Sequence, residues 1–193
     1  MNYEEVVFGR RSIRAFQQKP VPRSVLEEVI AMATRAPSSM NTQPWHLHVL
    51  TGEPLDRIRA DNTERMLNGT PPSKESRGIG SYEGEHRQRQ VDIAVQLFQA
   101  MGIARDDKEK RQDWILRGFR QFDAPISIVI TYDKVLQEGD IAQFDCGALV
   151  NGLVIMICVA MGYPDEDFPA NAVVSKRRPV SEVANFVGFT ETA

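Results

Sequence analysis

The chain has 193 residues, 42% of them hydrophobic and 25% charged, with a formal net charge of −3. That composition suits one globular domain with a sizeable core and excludes disorder. Acids outnumber bases, 26 to 23, which argues against a nucleic-acid partner.

From the start, Tyr3 to Phe8 reads as a short helix. It is followed by RRSIRAF, Arg10 to Phe16, with three arginines within five positions. Ser24 to Ala36 is a stronger helix, since Val25, Val29 and Met32 recur at helical spacing and Pro37 ends it. Trp45 to Leu50 alternates and reads as a strand, and Pro54 to Leu67 returns to helix. Gly69 to Glu85 is rich in Gly, Pro and Ser, a long loop. Arg87 to Ala104 and Lys108 to Phe122 are helices, and Ile126 to Thr131 is a buried β-branched strand behind Pro125. Ile141 to Val154 reads as helix and Ile155 to Ala160 as strand. An acidic turn after Pro164 leads into a polar tail with Lys176, Arg177 and Arg178. Helices with few strands and no repeats indicate α/β or α+β, in one domain over residues 1–193.

Cys146 and Cys158 are the only cysteines, and MNYEEVVFGR lacks the apolar core of a signal peptide. A reducing, cytoplasmic setting is expected, with the sequon Asn68-Gly69-Thr70 unused. The uncharged stretch from Cys146 to Tyr163 contains Asn151 and three glycines. A membrane span needs about 20 predominantly apolar residues, so this stretch is read as core and no membrane partner is expected.

The three histidines, His46, His48 and His86, have no acid or cysteine at metal-ligand spacing, so no metal is expected. There is no nucleophile elbow and no P-loop. Gly78, Gly80 and Gly84 only imitate a dinucleotide fingerprint, with the wrong last gap and no preceding strand. No side chains are therefore assigned as catalytic, and a cofactor must carry any reaction. Two basic clusters, Arg10/Arg11/Arg14 and Lys176/Arg177/Arg178, flank PSSMNTQPW, Pro37 to Trp45. Arginine forks suit a phosphate, and short polar side chains suit the edge of a polar ring. A negatively charged aromatic cofactor would use both.

RRSIRAF, a helix, then APSSMNTQPWHLHVL resembles the opening of the nitroreductase family of FMN-dependent oxidoreductases. DAPISIVIT, DIAQFDCGALVNGL, VAMGYPD and KRRPVSEVANF extend the resemblance to most of the chain, apart from a variable region at about residues 69–122. The resemblance implies an α+β three-layer fold, a central mixed, largely antiparallel sheet flanked by helices, in an intertwined homodimer. It implies FMN, with NAD(P)H as reductant and small nitroaromatic or quinone-type acceptors. Arg10 and Arg177 correspond to phosphate ligands, Arg14 to the ligand of the flavin pyrimidine edge, with Arg11, Ser12 and Arg178 alongside. Pro37, Ser38, Ser39 and Asn41 correspond to the segment given to the partner's flavin. Dehalogenation and flavin fragmentation also occur in the family.

One departure stands out. No Gly, Pro, Asn or Asp separates the expected helix end at Val154 from the strand at Ile155, although such joins commonly take 2–6 residues. The family's loop and short helix at this place, which face the flavin's hydride-accepting side, are missing. A natural minimal variant, a deletion and an incomplete sequence all remain open. So does the alternative of an impaired or flavin-free dimeric binding protein. The strand is expected to survive, with the cost falling on Asn151 to Val154.

Overall fold

The computed structural model describes residues 2–36, 38–71, 82–137 and 153–184. Helix α1 (Tyr3–Gly9) opens on a capping box. The Asn2 side chain accepts from the Glu5 N–H at 2.9 Å, and the Glu5 carboxylate accepts from the Asn2 N–H at 2.8 Å. Helix α2 (Arg23–Ala33) stops three residues short of the sequence expectation, because Thr34, Arg35 and Ala36 close as turns ahead of Pro37. Strand β1 (Trp45–Leu50) falls where the alternation places it. Helices α3 (Gly52–Leu67), α4 (Gly84–Ala100) and α5 (Lys108–Phe119) follow.

Both later helices end earlier than their patterns suggest. Gly102, at φ +63°, stops α4. The Gly102 and Ile103 N–H groups turn back to the carbonyls of Gln99 and Phe98, a glycine-dependent C-cap. At the end of α5, Gln121, Phe122 and Asp123 all take left-handed φ, between +54° and +57°. Arg59 of α3 holds this unusual run in place. Its guanidinium donates to the carbonyl of Arg120 at 2.9 Å and to that of Ala124.

The run delivers the chain into β2 (Ile126–Asp133), the middle strand of a three-stranded antiparallel sheet ordered β1-β2-β3. Strand β2 is buried on both faces. Ile126, Ile128 and Ile130 meet Leu26 and Ile30 of α2, with Leu47 and Met161 beside them. Ser127, Val129 and Thr131 are buried on the reverse face. Strand β3 (Leu153–Met161) runs unbroken through the Val154–Ile155 join. This corrects the helical reading of Leu153 and Val154, which pair as strand with Asp133 and Tyr132, and agrees with the expectation that the strand survives at the cost of those residues. At these positions pairing with the central strand outweighs a last helical turn. The rest of that expected helix lies outside the described residues. A short helix, α6 (Val180–Val183), comes last. Among the described residues no helix is long and apolar enough to cross a membrane.

Beyond β3 the chain folds back on the segment after α1. Phe16 bridges to Pro164, the Gln17 N–H donates to the Tyr163 carbonyl at 2.8 Å, and the Asp165 N–H donates to the Ala15 carbonyl at 3.1 Å. This needs a residue without a side chain at Gly162, where a Cβ would stand 2.7 Å from Pro125 Cδ and 3.0 Å from Phe16 Cδ1. A prolyl ring cannot swing aside. Gly162→Ala should therefore cost about 1–3 kcal/mol by overpacking, read as a lowered denaturant midpoint. An unchanged midpoint would show that this approach is not tight.

Candidate anion-binding pocket

The fold brings the two basic clusters together. Arg10, Arg11, Ser12 and Arg14, in the extended segment after α1, line one pocket of about 300 Å³ with Ser175 and Arg177 of the tail. Its apolar walls come from Val7 and Phe8 of α1, Ile93 of α4, and Val173 and Val174. The volume lies at the lower end of small-molecule sites.

The arginines are not equivalent. Arg11 is committed to structure, donating to the Asn171 carbonyl at 3.0 Å and pairing with the Glu166 carboxylate. Arg10 has no hydrogen bond or ion pair among the described residues. Arg14 reaches only the Ser12 carbonyl, at 3.2 Å. Arg177 makes only local contacts, to Ser175 Oγ at 2.6 Å and to the carbonyls of Ser175 and Lys176. Burial pushes the pKa of Arg14 down from its ordinary value, because desolvation disfavours the charged form. Among the described residues no acidic side chain lines the pocket. Three guanidiniums without carboxylate partners face one small space, which suits a multiply charged anion such as a phosphate monoester.

Asn171, fully buried, assembles this pocket. Its Oδ1 accepts from the Arg14 N–H at 2.6 Å, and its Nδ2 donates to the carbonyls of Ala15 and Asp165 at 2.9 and 2.8 Å. Arg117 of α5 adds a second brace, stacking over Phe168 at 4.8 Å and donating to the Arg14 carbonyl at 3.1 Å. Sequence reasoning missed both residues. Asn171 stands alone among apolar residues, between Ala170 and Ala172, in a run without periodicity, and Arg117 is one of two arginines on a charged helix.

The other expected site residues lie elsewhere in the subunit. Arg178 is tied to Glu182 of α6 and does not line the pocket. Ser38, Ser39 and Asn41 form a turn before β1, also off the pocket, and Pro37 lies outside the described residues. In that turn Ser38 Oγ accepts from the Gln43 N–H at 2.9 Å, and Met40, Asn41 and Gln43 take left-handed φ. His48 Nε2 lies 3.1 Å from Thr131 Oγ1, a contact between neighbouring strands.

The sequence model of the nitroreductase family matches residues 7–163. The chain belongs to the nitroreductase family. It is 33% identical over 126 residues to nitroreductase NfnB of Mycolicibacterium smegmatis, which takes in 63% of this chain and 52% of that protein. The chain thus spans about half the length of that relative. To an NADH dehydrogenase of Thermus thermophilus it is 49% identical over 199 positions, covering 87% of this chain and 90% of the relative. That alignment is longer than the chain itself, so the relative carries stretches with no counterpart here. Among solved structures, the FMN and NADPH-dependent nitroreductase NfnB of Sphigopyxis sp. strain HMH superposes with a TM-score of 0.85 at 25% identity, over 98% of this chain and 100% of that one.

Removing the brace gives a direct check. Asn171→Ala leaves the Arg14 N–H without its partner in a part-buried place and strips one of two donors from each of the Ala15 and Asp165 carbonyls, which keep only the Asp165 and Phe168 N–H groups. At about 1–3 kcal/mol for a buried unsatisfied group, a loss of roughly 3 kcal/mol is expected in chemical denaturation. Anion affinity should fall with it, even though no charge is removed. Retained stability would show that Asn171 only fills space.

Proposed function

We propose that this nitroreductase-family chain is an FMN-dependent oxidoreductase. It takes hydride from NAD(P)H and delivers it to a nitroaromatic or quinone-type acceptor, as a homodimer with shared flavin sites. The observation that carries this reading is the convergence of Arg10, Arg14 and Arg177, none of them paired with a carboxylate, on one pocket. The FMN and NADPH dependence of the Sphigopyxis relative supports it.

Each group has a distinct task. Arg10 and Arg177 approach from separate segments and would hold the phosphate. Ser175 Oγ fixes the Arg177 fork at 2.6 Å, so less side-chain freedom is lost on binding. Arg14 is braced through its own backbone by Asn171 and Arg117. Half-buried, it places a cation where negative charge accumulates, and low water content strengthens that interaction. Arg11 keeps the segment in shape through Glu166 and Asn171. A bound flavin supplies the two-electron chemistry for which this chain has no side chain.

The homodimer reading rests on what one subunit leaves bare. The Ser38 to Gln43 turn holds Met40, 94% exposed, in left-handed backbone, a conformation that costs a non-glycine residue about 1–3 kcal/mol. Phe8 on α1 is 85% exposed, and Val174, Val180 and Val183 of the tail are exposed too. Exposed apolar groups of this size, where contiguous, mark association surfaces. A second subunit would cover them, and the turn would then serve the partner's flavin.

Arg10→Ala should raise the FMN dissociation constant ten-fold or more, as expected for a charge-assisted contact contributing about 1.5–3 kcal/mol. Arg178→Ala, outside the pocket, should change it little. Equal effects of the two would remove Arg10 from the phosphate site. Light scattering of the yellow, FMN-loaded protein should report twice the 21.7 kDa chain mass. A monomer that holds FMN tightly would sink the shared-site arrangement.

A further inference from the structure

A second cavity, about 780 Å³, opens on the opposite face of α4. Helix α4 gives Ile93 to the arginine pocket. Val91, Val95 and Phe98, which cluster on the reverse side at helical spacing, floor the second cavity. Its rim is cationic: Arg87 from the start of α4, Arg105 from the α4–α5 turn, and Arg111 from α5. None of the three has an ion-pair partner among the described residues. Arg87 donates to the neutral Gln90 Oε1 at 2.5 Å. Arg111 lies over the Phe98 ring, 4.4 Å from its centroid, and Trp114 supports that ring edge-on at 6.5 Å. Among the described residues no acidic side chain lines this cavity either.

An apolar floor beneath three guanidiniums that have no ion-pair partner among the described residues has a definite complement. We propose that this cavity binds a small aromatic anion, its ring on Phe98, Val91 and Val95 and its carboxylate or phosphate on Arg105 and Arg111. Neither cation nor floor suffices alone. Exposed arginines attract any anion weakly, and a neutral ring would leave the guanidiniums unmatched. A single ligand with both features satisfies the two at once. The inference does not depend on flavin occupying the other pocket.

The test is calorimetric titration of the full chain, with the Arg10→Ala variant separating this cavity from the first arginine pocket. The probes are 2-naphthoate, its neutral isostere 2-naphthamide, and adenosine 2′-phosphate. The acid should bind at least ten-fold more tightly than the amide. Arg105→Gln/Arg111→Gln should abolish that ratio, whereas Arg10→Ala, measured alongside, should keep it. Tighter binding of adenosine 2′-phosphate identifies a nucleotide as the natural source, and tighter binding of naphthoate identifies an aromatic carboxylate. Should the double variant fail to fold, Arg87→Gln, at an exposed position, is expected to lower the ratio about three-fold. Equal affinity for acid and amide, no binding at millimolar concentration, or loss of the ratio in Arg10→Ala instead would overturn the proposal. So would a change of molecular mass in the double variant, which would make this face a contact between copies.

Discussion

An amide group is costly to bury unless each of its polar atoms is matched. Asn171 meets that condition only when two stretches of backbone, 157 residues apart in sequence, lie side by side. The side chain spends both its donors and its acceptor on this join, and its own carbonyl takes a further bond from Arg11. The requirement sets the position of Arg10 to Arg14 relative to Ser175 to Arg177. It also explains how a polar tail without much apolar surface keeps a fixed path. The Phe16–Pro164 bridge and the close approach at Gly162 continue the same seam toward the sheet.

The seam creates an electrostatic imbalance. Like charges held near one another repel, and partial burial strengthens the repulsion. The structure relieves it at one arginine only, through Glu166. On several helices the pattern is the reverse: Arg23, Arg57, Arg65 and Arg89 each meet an acid one helical turn away. A chain with more acids than bases has carboxylates to spare, yet among the described residues none lines this pocket. Unmatched charge inside a pocket and matched charge outside it is the arrangement that favours capture of an anion from solution.

The chemical type of this site was legible in the sequence, because RRSIRAF and the Lys176 to Arg178 run are dense and unlike their surroundings. Strand β1 was legible residue for residue, since alternation is a local property. What local pattern could not reveal was decided by tertiary partners. The end of α5 depends on a left-handed run held by Arg59, which sits 61 positions away from its acceptor at Arg120. The start of β3 depends on pairing with Tyr132 and Asp133, which outweighs the helical reading of Leu153 and Val154. The division among the arginines, one spent and three open, rests on Glu166 and Asn171, whose roles no spacing rule announces.

The length of the seam has a consequence for how the molecule is made. Its two halves lie 157 residues apart along the chain, so Arg10 to Arg14 emerge well before Asn171 and Arg177 exist to meet them. Contacts of such high sequence separation carry a large loop-closure penalty and tend to form late in folding. The pocket is therefore a clasp on a largely finished structure. An anion seated in it binds only the closed form. At a hundred times its dissociation constant such a ligand adds about 2.7 kcal/mol to stability, and it does so at the join that the chain completes last.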